Sequence, residues 1–236
     1  MDVNMAGPSD VNPHDTTPVS IATLVGELLG TGLLIVAVVG SGIMAQSLSS
    51  DVGVQLLANT GATVGALYAL ILMLSPISGA HFNPLVSLVA TLRGTLPWGQ
   101  LPLYLTVQVI GACLGTAVAN LMFDEGVWTW STRARDGAGI WLGEVVATAG
   151  LLAVIVLIGQ SRPNAVAGAV AAWIGGAYWF TSSTSLANPA VTVARSLSDS
   201  FAGIAPKSVP MFVVMQLIGT AVGSGIIMVL GRWRAE

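Results

Sequence analysis

Ser78-Gly79-Ala80-His81-Phe82-Asn83-Pro84-Leu85-Val86-Ser87 and Ser183-Thr184-Ser185-Leu186-Ala187-Asn188-Pro189-Ala190-Val191-Thr192 are two versions of one passage. In each, small and polar residues lead to Asn-Pro, and an apolar segment follows that is about half the roughly 20 residues a bilayer crossing needs. Asparagine is a good N-cap and proline suits the first helical position, so each Asn-Pro predicts a helix start. The spacing predicts short helices over Pro84–Leu92 and Pro189–Leu197. A lone Asn-Pro is an ordinary turn or helix start, as Asn12-Pro13 near the N-terminus is. Two copies in matched surroundings call for another reading.

The surroundings repeat as well. Ahead of each Asn-Pro a glycine and glutamate fall early in an apolar span, Gly26-Glu27 and Gly143-Glu144; behind each, a glutamine falls in the first half of another, Gln108-Val109-Ile110-Gly111 and Gln216-Leu217-Ile218-Gly219. The same order met twice is an internal repeat. Apolar runs long enough to cross a bilayer fall at Ile21–Ala45, Val52–Leu74, Leu101–Phe123, Ile140–Gly159, Ala165–Thr181 and Val209–Leu230. Ala165–Thr181 is the shortest, with Pro163 placed for its first turn. The expected fold is an all-α integral membrane protein of six transmembrane helices plus two re-entrant half-helices. Repeat one covers about 21–123 and repeat two about 140–232 of a channel domain over 21–232. An odd number of spans per repeat makes the second copy enter from the opposite face, so the halves form an inverted pair.

Composition agrees. The chain is 54% hydrophobic and 8% charged, against about a quarter charged in an ordinary soluble domain, so the lipid bilayer is its expected solvent. Met1–Ser20 lacks both Lys and Arg and an apolar stretch, and reads as a disordered tail rather than a signal peptide. The single cysteine, Cys113, falls inside the third span as a buried structural thiol. A net charge of −3 with no basic block gives nucleic acid no footing. Arg93, Arg162, Arg232 and Arg234 fall on one side of the six spans and Arg133, Arg135, Arg195 and Lys207 on the other, so positive charge does not set the orientation.

Inverted symmetry brings the two helix starts together at mid-membrane, with Asn83 and Asn188 at the centre of a pore. Irregular backbone at that depth survives where it lines a wet cavity or is buried in protein, so Gly79, Ala80 and His81 of one loop and Ser183 and Thr184 of the other are the expected pore wall. Two helix N-termini there carry about half a positive charge each, which disfavours cations. Glu27 and Glu144 are acidic residues well inside spans, where ionisable groups are functional by default. They could relay protons, or accept hydrogen bonds from unpaired loop amides as a scaffold completed by Gln108 and Gln216. His81 is accompanied only by His14 in the tail, so no metal site is expected. No cofactor motif stands out.

At these residues the chain resembles the major intrinsic protein family, the aquaporins and aquaglyceroporins: Ser78-Gly79-Ala80-His81-Phe82-Asn83-Pro84 and Ala187-Asn188-Pro189-Ala190 are similar to its two signature loops, in family order with Glu27, Glu144, Gln108 and Gln216. The resemblance covers Ile21–Arg232. It implies a homotetramer in the cell membrane, with one pore per subunit and both termini cytoplasmic. It also brings the exclusion of protons by half-helix dipoles that is ascribed to aquaporin-type pores.

Two residues depart from the family pattern. Leu85 stands where the first signature has alanine, and Val191 where the second is followed by arginine. Offsets from the two asparagines carry the family's selectivity filter onto Thr63, Gly176, Ser185 and Val191, a wide, uncharged opening suited to neutral solutes larger than water. Arg195, one turn beyond Val191, either leans into the outer vestibule, snorkels to the surface or pairs with Asp199. Thr181–Arg195, continuing to Phe201-Ala202-Gly203-Ile204-Ala205-Pro206, resembles a bacterial aquaglyceroporin branch associated with arsenic resistance. That resemblance implies arsenous or antimonous acid, or methylated arsenicals, as solutes beside glycerol and water.

Gly26/Gly30, Gly61/Gly65, Gly111/Gly115 and Gly219/Gly223 predict close helix packing, and Trp98, Trp128, Trp130, Trp141 and Trp233 an interfacial belt. The leading reading is a passive channel for small uncharged solutes. A proton- or ion-coupled secondary transporter using Glu27 and Glu144 is the alternative, since such proteins share inverted repeats and broken helices. An enzyme is the weakest reading, because no nucleophile with a base or metal cluster is visible.

Overall fold

The computed structural model describes residues 18–232. The tail expected over Met1–Ser20 lies almost wholly outside the described residues, as do His14, Trp233 and Arg234. The described α-helices are α1 (Ile21–Leu48), α2 (Val52–Ser78), α3 (Pro84–Leu92), α4 (Leu101–Met122), α5 (Ala138–Ser161), α6 (Val166–Phe180), α7 (Pro189–Arg195) and α8 (Val209–Arg232). Five of these, α1, α2, α4, α5 and α8, are long and apolar enough to cross a membrane. α6 has 15 residues, a rise of about 22 Å at 1.5 Å per residue, and a 3-10 turn at Pro163–Ala165 lengthens it. With α6 as the short sixth crossing, α1 begins and α8 ends on the same face, here the terminal face. The other is the far face.

α3 and α7 are the half-helices. Proline opens each, and the preceding asparagine caps it: Asn83 accepts from the Leu85 amide, Asn188 from those of Ala190 and Val191. α7 stops at Arg195, two residues before the expected Leu197, because the Ser196 and Leu197 amides turn back to the carbonyls of Val193 and Ala194. α3 therefore runs from mid-membrane back to the terminal face, and α7 from mid-membrane back to the far face.

Glycine sets the closest helix contacts. A Cβ at Gly111 or Gly115 of α4 would lie 2.2 Å from the Leu28 or Gly32 carbonyl oxygen of α1. One at Gly219 or Gly223 of α8 would lie 2.8 Å from that of Val145 or Ala149 in α5. The first and third spans of each repeat thus touch along their backbones. Gly61 and Gly65 do not share this role: among the described residues nothing lies within 4 Å of a Cβ at either, so neither sits at a close helix contact there. Large apolar side chains such as Leu29, Leu57, Leu114, Leu142 and Val229 point outward, as lipid contact requires. Trp98, Trp128 and Trp130 are exposed. Cys113 is half-buried rather than buried.

Candidate functional site

The two loops that dip into the bundle hold unusual backbones. Gly79, Ala80 and Phe82 have φ of 85°, 51° and 49°, and Thr184, Ser185 and Ala187 have φ of 61°, 52° and 47°. Residues with a Cβ seldom enter that left-handed region, so the surroundings must hold them there.

Buried carboxylates do so in both repeats. Glu27 Oε1 accepts from the His81 amide at 2.9 Å and the Ser78 hydroxyl at 2.7 Å. Its Oε2 accepts from the Phe82 amide and from Gln108 Nε2, each at 2.8 Å. Glu144 repeats the pattern, Oε1 taking the Leu186 amide at 2.8 Å and Oε2 the Ala187 amide at 2.9 Å and Gln216 Nε2 at 2.6 Å. The same glutamine nitrogens donate onward into the half-helices, Gln108 to Ser87 Oγ and Gln216 to Thr192 Oγ1, at 2.9 Å each. Both carboxylates are fully buried, and neither lines the cavity described below.

The loop tips meet. Asn83 Nδ2 donates to the Ala187 carbonyl at 2.8 Å, and Asn188 Nδ2 to the Phe82 carbonyl at 2.7 Å. Each asparagine therefore holds the residue just before the other. An amide nitrogen has two N–H groups, so one on each side chain remains for a passing molecule.

Beside this crossing runs a cavity of about 580 Å³. Arg93 and Asn164 line it near the terminal face, Asn83 and Asn188 in the middle, and Tyr178 and Arg195 towards the far face. The lining thus extends from near one face, through the centre, to near the other. The walls are mostly aliphatic, with a polar track from the loops. Gly79, Ala80 and His81 are on the wall. His81 Nδ1 lies 3.0 Å from Ser87 Oγ, which also accepts from Gln108 Nε2.

Thr63, Ser185 and Val191 also line the cavity, but Gly176 does not. α6 places Gly175 against α2, where a Cβ would lie 2.6 Å from Val64 Cγ2. That contact fixes the helix phase, turning Ile174 and Tyr178 inward and leaving Gly176 exposed. The Tyr178 hydroxyl lies 3.3 Å from Thr63 Oγ1, so a phenol occupies the level where glycine was expected. Ser183 and Thr184 stand behind the wall: Ser183 Oγ accepts from the Ser185 amide at 3.1 Å, and Thr184 Oγ1 from Arg135 at 3.2 Å.

Arg195 neither snorkels nor pairs with Asp199. It is 2% exposed, its Nε donates to the Ala202 carbonyl, and Asp199 instead accepts from the Thr132 amide and hydroxyl. Two further arginines that the sequence left unassigned back this region. Arg135 donates to the Gly203 carbonyl at 2.8 Å and the Ser183 carbonyl at 3.3 Å. Arg133 donates to the Phe201 carbonyl at 3.0 Å and lies over the Phe201 ring. Burial, then the charges of Arg195 and Arg133, push the Arg135 guanidinium down to about 9, which leaves it charged at neutral pH.

The sequence model of the Major intrinsic protein family matches residues 15–185, well over half the chain. The chain belongs to the major intrinsic protein family. Membership makes it a multi-pass membrane channel protein rather than an enzyme. This major intrinsic protein is 48% identical over 209 residues to "Aquaglyceroporin AqpS" of Rhizobium meliloti (strain 1021), covering 89% of this chain and 88% of that protein. To the "Glycerol uptake facilitator protein" of Bacillus subtilis (strain 168) it is 35% identical over 105 residues, 42% of this chain and 36% of the other. The solved aquaglyceroporin from Plasmodium falciparum shares its fold, with a TM-score of 0.64 at 21% identity over 88% of this chain and 95% of that one.

Proposed function

We propose that the protein is a passive channel for small uncharged solutes of glycerol size, with water, and with arsenous acid or methylated arsenicals among its cargo. It sits in the plasma membrane with the terminal face towards the cytoplasm, as a homotetramer with one bore per subunit. The observation that carries the reading is the single cavity that reaches from Arg93 to Arg195 past both asparagines. Aliphatic walls suit a carbon skeleton, and the free asparagine N–H groups and loop backbone suit its hydroxyls. Relatives named for glycerol or as aquaglyceroporins support the solute class. Val191 leaves an apolar wall where the family places arginine, which admits a solute bulkier than water. Arsenous acid is neutral near pH 7 and polyol-like in shape.

No Asp or Glu is found among the described residues lining the cavity, and Glu27 and Glu144 spend their oxygens on loop amides and glutamines. A coupled transporter using Glu27 and Glu144 would need those carboxylates on the solute path, so the passive reading is taken. Light-scattering flux in reconstituted vesicles, with water, glycerol and arsenous acid side by side, tests it. All three are expected to move downhill, with weak temperature dependence and no response to an imposed pH gradient. Vesicles that pass water while blocking both larger solutes would refute the solute class.

A further inference from the structure

We propose that Tyr178 and Arg195 are the pair that selects which solutes enter the bore from the far face, in place of Gly176 and Val191. The inference rests on the channel reading and assigns the selecting residues within it. Tyr178 is 3% exposed, yet its side chain is on the cavity wall. Its hydroxyl meets Thr63 Oγ1 of α2 at 3.3 Å, so α6 and α2 together present two hydroxyls at one level. Arg195 lies four residues beyond Val191, about 6 Å further along α7 at 1.5 Å per residue. Its Nε is tethered to the Ala202 carbonyl, while its terminal nitrogens hold no hydrogen bond among the described residues. Those nitrogens belong to a side chain that lines the cavity. Tyr178, Glu144 and Arg133 are within electrostatic reach of the guanidinium.

The Ser185 hydroxyl, on the same wall, is buried with no hydrogen-bond partner. A solute with several oxygens therefore finds donors from Arg195 and hydroxyls from Tyr178 and Thr63 within one stretch of bore. A cation finds the reverse. No carboxylate is found among the described residues lining the cavity; behind the wall Glu144 is the one acidic neighbour of Arg195 among the described residues, against the like charges of Arg133 and Arg135. In a narrow path with low-dielectric walls such a charge acts far more strongly than in water. The ligand class this pair takes is a neutral, multiply hydroxylated molecule, and the class it turns away is a small organic cation of the same size.

The test uses vesicles of the full chain, wild type and carrying Arg195→Gln, Arg195→Lys or Tyr178→Phe, with swelling measured under gradients of glycerol, guanidinium and methylammonium. Arg195→Gln keeps an N–H for the Ala202 carbonyl and loses the charge; its cation-to-glycerol permeability ratio should rise at least tenfold. Arg195→Lys should hold the ratio near wild type. An Arg195→Gln channel that passes glycerol at the wild-type ratio overturns the assignment. Should Arg195→Gln fail to assemble or pass nothing, Tyr178→Phe decides: losing the phenol hydroxyl should lower the glycerol-to-water ratio at least threefold, and an unchanged ratio overturns the pair. Wild-type vesicles that pass no glycerol would sink the channel reading itself, a result distinct from either of these.

Discussion

Glu27→Ala is expected to yield no stable folded channel. The substitution strips acceptors from the His81 and Phe82 amides, the Ser78 hydroxyl and Gln108 Nε2, all inside the bundle. Ser78 can turn to its own helix, where the Leu74 carbonyl lies 3.5 Å away. The other three cannot, and a buried donor left unpaired costs about 1–3 kcal/mol. A sum of roughly 3–9 kcal/mol is comparable to the whole stability of an ordinary domain, about 5–15 kcal/mol. The left-handed residues Ala80 and Phe82 would also lose what holds them. Thermal unfolding and size-exclusion profiles in detergent measure the effect. Glu27→Gln, which keeps one acceptor oxygen and the volume, should fall between Ala and wild type. Folded Glu27→Ala protein with a wild-type melting temperature would remove the scaffold role. A folded Glu27→Gln protein that lost only proton-dependent flux would instead revive the coupled transporter.

The second large effect is expected from Asn188→Asp, a change of one atom's chemistry at nearly constant shape. One carboxylate oxygen can still cap α7 through the Ala190 and Val191 amides, and negative charge favours a helix N-terminus. The other oxygen would sit where Nδ2 now donates to the Phe82 carbonyl at 2.7 Å, two acceptors facing each other. The tie between the loops breaks on that side, and the donor offered to solute disappears. Negative charge at the centre also cancels the positive potential of the two helix starts. Glycerol flux should fall at least tenfold, the melting temperature should drop, and small cations should begin to leak. Unchanged flux with cations still excluded would mean that the asparagine amide takes no part in conduction.

The pieces legible in the sequence share one property: each is fixed by a contact inside one repeat that recurs in the other. Asn83 and Asn188 announce their half-helices through capping chemistry. Glu27 with Gln108, and Glu144 with Gln216, stand out because polar residues in apolar spans need partners, and the fold gives them equivalent ones. What was not legible depends on helix phase and loop path. α6 is apolar nearly all round, so its sequence carries no inward stripe, and counting back twelve residues from Asn188 lands on Gly176, which is exposed, while Tyr178 two residues on lines the cavity. The signal was present in Gly175, a residue without a side chain where α6 must approach α2. Irregular backbone at mid-membrane depth puts Ser183 and Thr184 either on a wet wall or in buried protein, and the sequence does not say which. The second loop is held from behind by Arg135, a residue far away in sequence. Gly61 and Gly65 have the spacing of packing glycines but nothing beside them among the described residues. Spacing alone does not say which helix, if any, is opposite.

The central claim is that solute passes through the subunit, beside the crossed asparagines. Val191 lies on that path, one helical turn from Asn188. In a Cys113→Ser background, which removes the native thiol, Val191→Cys places a single thiol on the wall of the bore. Mercuric ion should then cut glycerol flux into reconstituted vesicles at least tenfold, with recovery on adding excess dithiol and no effect on the Cys113→Ser parent. Complete labelling of the introduced thiol, confirmed by mass, with glycerol flux unchanged would place the path elsewhere and contradict the account.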